Sequence, residues 1–265
     1  MITVVDACVR DGAGGSPTLV ADDEGGDRCA IVRASGASHG AFLDLPAVRF
    51  FTGTAELRNC GHGTLAAHAV LLSRSGRTRQ RLTQHTGGRA YEVTAARRPG
   101  GGIEVWFDQG PVTIEPPPAG LGEILGALGI GDPGGIVVAS PGAPRLLIPV
   151  ADPPAVAPDF PRLARACRDL GLLGCLVYRL DGPVAWARLF APAIGVDEDV
   201  ANANSSGCLA AHLGRRVEVW QGDALGRPSA VWADTDGRTT RVGGVVRLRG
   251  EPGPGRFPEV GGRVG

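Results

Sequence analysis

Short runs in which apolar and β-branched residues cluster or alternate with polar ones recur along most of the chain, the pattern of β-strands. The first half carries them at ITVVDACV (2–9), TLVAD (18–22), HGAFLDL (39–45), AVRFFT (47–52), AYEVTAA (90–96), IEVWFD (103–108) and PVTIE (111–115). Two segments break the pattern. DRCAIVRA (27–34) has the length of one short helix. TLAAHAVLLSRSG (64–76) is rich in Ala and Leu and ends on Gly76, which predicts a longer helix. It is apolar nearly all round as far as Leu72, so it is expected to be buried. The arginines of RSGRTRQR (74–81) predict a solvated helix end.

EPPPAG (115–120) breaks both helix and sheet and predicts a stiff linker. Beyond it the same style returns. Helices are expected at LGEILGALG (121–129) and at DFPRLARACRDLG (159–171), the second with an Asp159 cap and a Gly171 stop. Strands are expected at 136–140, 145–150, 175–180, 184–190, 216–222, 229–234 and 244–250. APAIGVDEDVANANSSG (191–207) predicts a loop that leads into a second Ala-rich helix. The expected organisation is two halves, 1–115 and 120–255, each mostly strands around one buried helix. The Gly- and Pro-rich stretch 251–265 predicts a loosely held end.

The halves also share residues. LAAH occurs at 65–68 and at 209–212, and each copy follows an Arg-x-Phe, at Arg49–Phe51 and Arg188–Phe190. The spacing from Arg to LAAH differs, 16 residues against 21 (49 to 65, 188 to 209). Two related halves with a site between them account for the pattern.

Composition narrows the class of function. The 27 basic residues, all Arg, balance 27 acidic ones, which disfavours a protein that lives on phosphate contacts and so argues against nucleic acid. With 42 Gly and 21 Pro, the Arg-only usage points to codon bias in a GC-rich genome. No apolar run approaches the roughly 18 residues that span a bilayer. The six cysteines at 8, 29, 60, 167, 175 and 208 contain no C-x-x-C, and no Cys/His spacing resembles a zinc site, so free thiols and no metal are expected. The opening MITVVDACV is too short and too strand-like for a secretory leader, which predicts a cytoplasmic protein.

The chemistry concentrates where the two buried helices begin. One is led by Cys60-Gly61-His62-Gly63, the other by Ala203-Asn204-Ser205-Ser206-Gly207. Small residues leave backbone N–H groups uncovered, and a helix N-terminus adds a partial positive charge. Two such ends facing one cleft would hold a carboxylate, or an enolate formed beside one.

These residues resemble a known family. FFTGTAELRNCGHGTLAAHAVL (50–71) resembles the first signature of PhzF-like proteins, named after the phenazine-biosynthesis isomerase: an Arg-x-Phe strand, an acidic residue, then Cys-Gly-His-Ala-Thr opening a helix. RLFAPAIGVDEDVANANSSGCLAAHL (188–213) resembles the second, and VVDACVRDGAGGSPTLVADD (4–23) the Val-Asp-Ala-Phe start with its Gly-Asn-Pro-Ala-Val loop. The resemblance spans both halves in the right order. It implies the diaminopimelate-epimerase fold. That fold is α+β, with two pseudo-symmetric domains, each a barrel-like, mostly antiparallel sheet around a central helix, and the site in the cleft.

The departures from the family bear on function. Isomerases of the family carry Ser-Glu-Thr-Ala-Phe, whose Glu is the general base and acid. The matching stretch is SHGAF (38–42), with His39 at the Glu position. An imidazole can take and return a proton at neutral pH, so the shuttle survives the exchange. The resemblance implies catalytic roles for His39, His62 and Asp199. It implies substrate contacts from Ser16, Cys60, Gly61, Gly63, Asn202, Ala203, Asn204 and Ser205. Several differ from the family residue: Ser16 stands for Asn, Asn202 and Ala203 for Thr and Gly, and Asn204 for Ser. Racemases of the superfamily use two thiols, one at each helix start; Cys60 matches the first, and the second falls near Asn202, which cannot serve. The implied function is a cofactor-independent isomerase. It shifts a double bond by proton transfer in a small carboxylic, amino or imino acid, in secondary-metabolite biosynthesis. The alternatives are an epimerase at a carbon α to a carboxylate, using His39 with Cys60, and a metabolite-binding protein on the same scaffold. A small carboxylate is the expected partner, with no nucleic acid or membrane, no cofactor and no metal; a homodimer is the candidate assembly.

Overall fold

The strand runs become two rings of strands, each closed around a helix. The computed structural model describes residues 1–249, so the segment 251–265 and the end of the second half lie outside the described residues. The first half contains β1 (Ile2–Ala7), β2 (Ser16–Asp22), α1 (Arg28–Ser35), β3 (His39–Asp44), β4 (Ala47–Phe51), β5 (Glu56–Leu57), α2 (Gly61–Ser75), β6 (Arg79–Thr86), β7 (Arg89–Arg97), β8 (Ile103–Gly110) and β9 (Thr113–Glu115). The second contains α3 (Gly122–Leu128), β10 (Val137–Ser140), β11 (Arg145–Pro149), α4 (Phe160–Asp169), β12 (Cys175–Asp181), β13 (Val184–Ala191), β14 (Val196–Asp199), α5 (Ala203–Leu213), β15 (Val217–Gln221), β16 (Ser229–Thr235) and β17 (Thr240–Leu248). Among the described residues, no helix is long and apolar enough to cross a membrane.

In the first ring, β1 pairs with β2, and the order continues through β3, β4, β6, β7 and β8 to β17, which pairs back onto β1. The second runs β9, β10, β11, β12, β13, β15, β16, β17, and β17 returns it to β8, which precedes β9 by two residues. β17, the last strand of the second half, therefore belongs to both rings. Alternation supplies the inner faces: Ile103, Val105 and Phe107 of β8 point in while Glu104 and Trp106 point out. α2 fills the first ring and α5 the second, and their alanines (Ala66, Ala67, Ala69 and Ala210) let strands approach closely.

The halves repeat one order of elements. A strand, a helix and a parallel strand (β2–α1–β3, β11–α4–β12) lead to a hairpin partner (β4, β13). A short strand (β5, β14) follows, then the buried helix (α2, α5), then a strand parallel to the hairpin partner (β6, β15). The repeated Arg-x-Phe has a structural reason. Arg49 forks onto both carboxylate oxygens of Glu56 at 2.9 and 2.7 Å and lies over Phe51, while Arg188 forks onto Glu198 at 3.0 and 2.8 Å and lies over Phe190. Each pair ties the hairpin strand to the short strand before the buried helix. LAAH is not the structural repeat. Its Leu follows the helix cap by five residues in α2 (60 to 65) and by seven in α5 (202 to 209), which puts the two copies on different faces.

Three expectations are corrected. Both buried helices begin earlier than composition indicates, α2 by three residues at Gly61 and α5 by five at Ala203. Gly and Ser are poor helix formers, but the Cys60 sulfur accepts from the Gly63 N–H at 3.4 Å, and Asn202 Oδ1 from the Ser205 N–H at 2.8 Å. The stretch 191–207 is not all loop, since β14 and the first turn of α5 lie in it. RSGRTRQR is not simply a helix end: α2 stops at Gly76 and β6 begins at Arg79. β6 escaped notice because its inward residues are polar. Gln84 is buried against His68 and Thr64, and Thr86 donates to the Val48 carbonyl.

Asp6 closes the first ring electrostatically. Its buried carboxylate accepts from Arg227, Arg247 and Arg249 at 2.8, 3.1 and 2.9 Å. Burial works against its charge, but hydrogen bonds from Arg249 and Arg247 and the nearby charge of Arg227 outweigh it and hold the carboxyl below the usual range. A lowered folded-state pKa gives stability that is complete above the ordinary carboxylate range and lost as falling pH protonates Asp6. Asp6→Asn is expected to cost about 2 kcal/mol and lower the melting temperature by about 4–8 °C at neutral pH. The loss should shrink in acid, where wild-type Asp6 is also neutral; a scan of melting temperature against pH for both proteins checks it.

Candidate active site

The two buried helices meet at their N-terminal ends. A Cβ added to Gly61 would lie 2.5 Å from the Ala203 Cβ, so only glycine allows the approach. Asn204 donates to Asn59 Oδ1 at 3.0 Å across the same junction. Cys60 caps α2 and Asn202 caps α5, so Asn202 holds in the second half the place of Cys60 in the first.

Beside this junction lies a cleft of about 880 Å³ with walls from both halves, Thr52–Thr54 on one side and Pro154, Phe160 and Arg188 on the other. His39 and Asp199 lie on its wall. His39 opens β3, a strand fixed by parallel pairing to β2, and is only 8 % exposed. His62, in the first turn of α2, lies behind it with ring centroids 4.3 Å apart and planes at 75°. Asp199 ends β14; its Oδ2 accepts from Asn202 Nδ2 at 2.9 Å and its Oδ1 from the Ala201 N–H at 3.3 Å.

Hydrogen bonds assign the His39 tautomer. The Ser38 hydroxyl has one proton and gives it to the Pro17 carbonyl at 2.9 Å. Its oxygen then accepts from Ser16 Oγ at 3.1 Å and from His39 Nδ1 at 3.0 Å. Nδ1 therefore carries the ring proton, and Nε2 keeps its lone pair. Ser38 was not singled out from sequence, although it adjoins His39; its role depends on Ser16 and Pro17, brought up from another strand.

The surroundings push the two imidazoles apart. Burial, then the neighbouring His62 charge, lower His39 to about 3 against the opposing Asp199. Burial also opposes a charge on His62, but the Cys60 sulfur, Asp199 and the Ala201 backbone outweigh it and raise His62 to about 9. Burial works against the Asp199 carboxylate in turn, while His62, His39 and the Asn202 hydrogen bond hold it ionised. At neutral pH the site is a neutral imidazole, an imidazolium and a carboxylate.

The other expected contacts are distributed. Ser16 is wholly buried behind Ser38. Cys60, Gly61 and Asn204 line a narrow polar pocket on the far side of the junction, with Gln84 and Gln109. Gly63 packs on the Phe50 ring and gives its N–H to Cys60. The Ser205 hydroxyl accepts from Arg145 at 2.9 Å and its N–H caps to Asn202, so both polar groups are engaged inside the second ring. Arg145 is fully buried; nothing in the strand run RLLIPV marked it out. Sequence spacing showed no metal site, yet the fold brings one ligand atom each from His39, Cys60 and His62 within 4.8 Å of one another.

The model of the phenazine biosynthesis-like protein family, PhzC-PhzF, matches residues 30–252. The chain belongs to this family. Among PhzC-PhzF relatives, an uncharacterized isomerase of Deinococcus radiodurans is 31% identical over 229 residues, covering 75% of this chain and 71% of its own. The trans-2,3-dihydro-3-hydroxyanthranilate isomerase of Pseudomonas aeruginosa is 29% identical over 264 residues, 91% and 92% of the two chains. A solved structure of a predicted epimerase from Pseudomonas aeruginosa, 28% identical, superposes with a TM-score of 0.77 over 93% of this chain and 96% of that one. With this fold and these relatives, this member of the PhzC-PhzF family is an isomerase.

Proposed function

We propose that the enzyme moves a proton between two carbons of a small unsaturated carboxylic, amino or imino acid and so shifts a double bond, with no cofactor. The observation that carries this is the geometry of His39, which lies on the cleft wall with Nδ1 bonded to Ser38, Nε2 left with its lone pair, and the His62 ring 4.3 Å behind it. His39 stands where isomerases of the family have Glu, and serves as their base. An incoming carboxylate brings negative charge close to His39 and strengthens it as a base. Nε2 takes the proton, and His62 stabilises the negative charge that develops on the substrate. Nε2 then returns the proton to a second carbon, which leaves His39 neutral. Asp199 keeps His62 charged throughout. The uncovered N–H groups at the starts of α2 and α5 hold the carboxylate. Cys60, Gly61, Gly63, Asn202, Ala203, Asn204 and Ser205 shape that end of the site, and Ser16 backs the His39 end through Ser38. The halves 1–115 and 120–255 act as its two walls.

The Pseudomonas aeruginosa relative is named for an unsaturated amino acid, which supports this substrate class. We assign the protein to secondary-metabolite biosynthesis in the cytoplasm, working as a homodimer. Epimerisation is the lesser reading, because the residue capping α5 is Asn202, which carries no exchangeable acid proton to deliver to the opposite face.

Incubation with candidate unsaturated acids in heavy water, followed by NMR, tests the proposal. Deuterium is expected at the new sp³ carbon in one configuration, with incorporation reduced by direct return of the original proton. Deuterium at an existing stereocentre with every double bond in place would establish the epimerase instead. Shifted ligand resonances without exchange into carbon, across the substrate class, would mark a binding protein.

A further inference from the structure

We propose that His39, Cys60 and His62 form a binding site for a borderline-soft divalent cation, zinc being the ion that fits, and that the bound ion withdraws His39 from proton transfer. The regulatory half of this proposal rests on His39 being the base; the metal site does not.

Two imidazoles and a thiolate are a donor set that zinc takes readily. Zn–S and Zn–N bonds of about 2.3 and 2.0–2.1 Å in a tetrahedron put ligand atoms about 3.3–3.6 Å apart. Cys60 Sγ and His62 Nε2 already lie 3.4 Å apart, and all three donor atoms fall within 4.8 Å of one another. With Nδ1–H given to Ser38, Nε2 is the His39 nitrogen free to bind, and a shift of the ring by about one ångström or more closes the set to tetrahedral spacing. All three side chains are buried, so they are held in place before any ion arrives.

The outer partners are those a metal site needs. A ligating histidine gives its other ring N–H to a fixed acceptor. His39 gives Nδ1–H to Ser38, itself anchored to Pro17 and Ser16. His62 faces Cys60 with Nε2 and is stabilised by the backbone of Ala201. Asp199 supplies a negative charge next to the cluster. His39 lies on the cleft wall, so water or a substrate carboxylate from the cleft would take the fourth position. On binding, lone pairs on the Cys60 sulfur and both Nε2 atoms form bonds to the ion. Any proton carried by the ligand atoms passes to the buffer, and no oxidant or reductant takes part. With its Nε2 lone pair committed to the ion, His39 cannot accept a proton from carbon.

The test is titration of the full-length protein, freed of metal by a chelator, with Co²⁺ and then Zn²⁺. One Co²⁺ per chain is expected, with tetrahedral d–d absorption and a sulfur-to-cobalt charge-transfer band, and Zn²⁺ should displace it. Cys60→Ser keeps an oxygen to cap α2 and should abolish the charge-transfer band. Cys29→Ser, at a partly exposed thiol remote from the cluster in sequence, should leave the band intact. His39→Gln is expected to weaken binding by about 100-fold or more, and Ser38→Ala by about 10-fold. Stoichiometric Zn²⁺ should stop the heavy-water exchange, and a chelator should restore it. No stoichiometric uptake, or a band that survives in Cys60→Ser, overturns the site and leaves the proton-transfer reading intact. Full exchange by the zinc-loaded enzyme overturns the regulatory role. Unchanged turnover in His39→Gln, with metal affinity lost, overturns the proton-transfer reading and leaves the site.

Discussion

His39→Gln is expected to lower turnover by roughly 100-fold or more, with little change in substrate affinity. Gln keeps a polar side chain of similar length at the start of β3, so it can still hydrogen-bond Ser38, but it has no nitrogen that accepts a proton. The loss should therefore appear in kcat, because the missing interaction exists only while a proton is in flight. Single-turnover exchange in heavy water separates this from weaker binding. His39→Glu offers a carboxylate base in place of the imidazole and should recover part of the lost activity. It also puts a carboxylate in the field of Asp199 in place of a neutral ring, and that repulsion limits the recovery. Wild-type turnover in His39→Gln would mean that the base lies elsewhere.

Asp199→Asn carries the second large effect. Asp199 helps to raise His62 to about 9, so His62 is protonated through neutral pH and loses its charge as pH rises through about 9. If His62 stabilises negative charge on the substrate, wild-type kcat should fall along an alkaline limb near pH 9. Asn removes the charge and presents an amide that cannot satisfy both the Ala201 N–H and the Asn202 amide as the carboxylate does. Cys60 and the Ala201 backbone still favour the charged ring, but without the Asp199 charge the His62 pKa drops, which moves the alkaline limb to lower pH. At pH 8 the variant is expected to lose about 100-fold in kcat, and proportionately less in mild acid, where His62 can still be charged. A pH–rate profile with NMR titration of His62 checks both parts. An alkaline limb unmoved by Asp199→Asn would remove His62 from the chemistry.

Much of this protein was legible in the chain. The strand runs, the two Ala-rich helices and the Gly76 stop followed from local pattern, because alternation and propensity act over a few residues and need no distant partner. The family motifs carried the fold, and the quoted segments held His39 and Asp199, which the fold places on the wall of one cleft, with His62 behind His39. β6 was missed because Gln84 and Thr86 put polar atoms on an inward face, and only the bonds to His68, Thr64 and Val48 make those positions core. The helix starts were placed three and five residues late because capping by Cys60 and Asn202 overrides the weak propensity of Gly and Ser. LAAH drew attention as a repeat, yet the repeat the fold uses is the Arg–Glu fork before each helix. Its two members sit on different strands, so their pairing is invisible until the strands align.

What only tertiary structure decided is the protonation and partnership of the site. His39, Cys60 and His62 were each visible, but their charges depend on burial and on neighbours within a few ångströms, and those neighbours come from β2, α2 and β14. The same holds for β17, which spacing assigned to the second half and which closes the first ring as well. Sequence fixes what a residue can donate, accept or repel over its own few neighbours. Which proton His39 carries, which charge His62 keeps and whether three donors can share one ion are set by long-range packing, where Asp199, 160 positions from His39 and 137 from His62, helps to decide the local field.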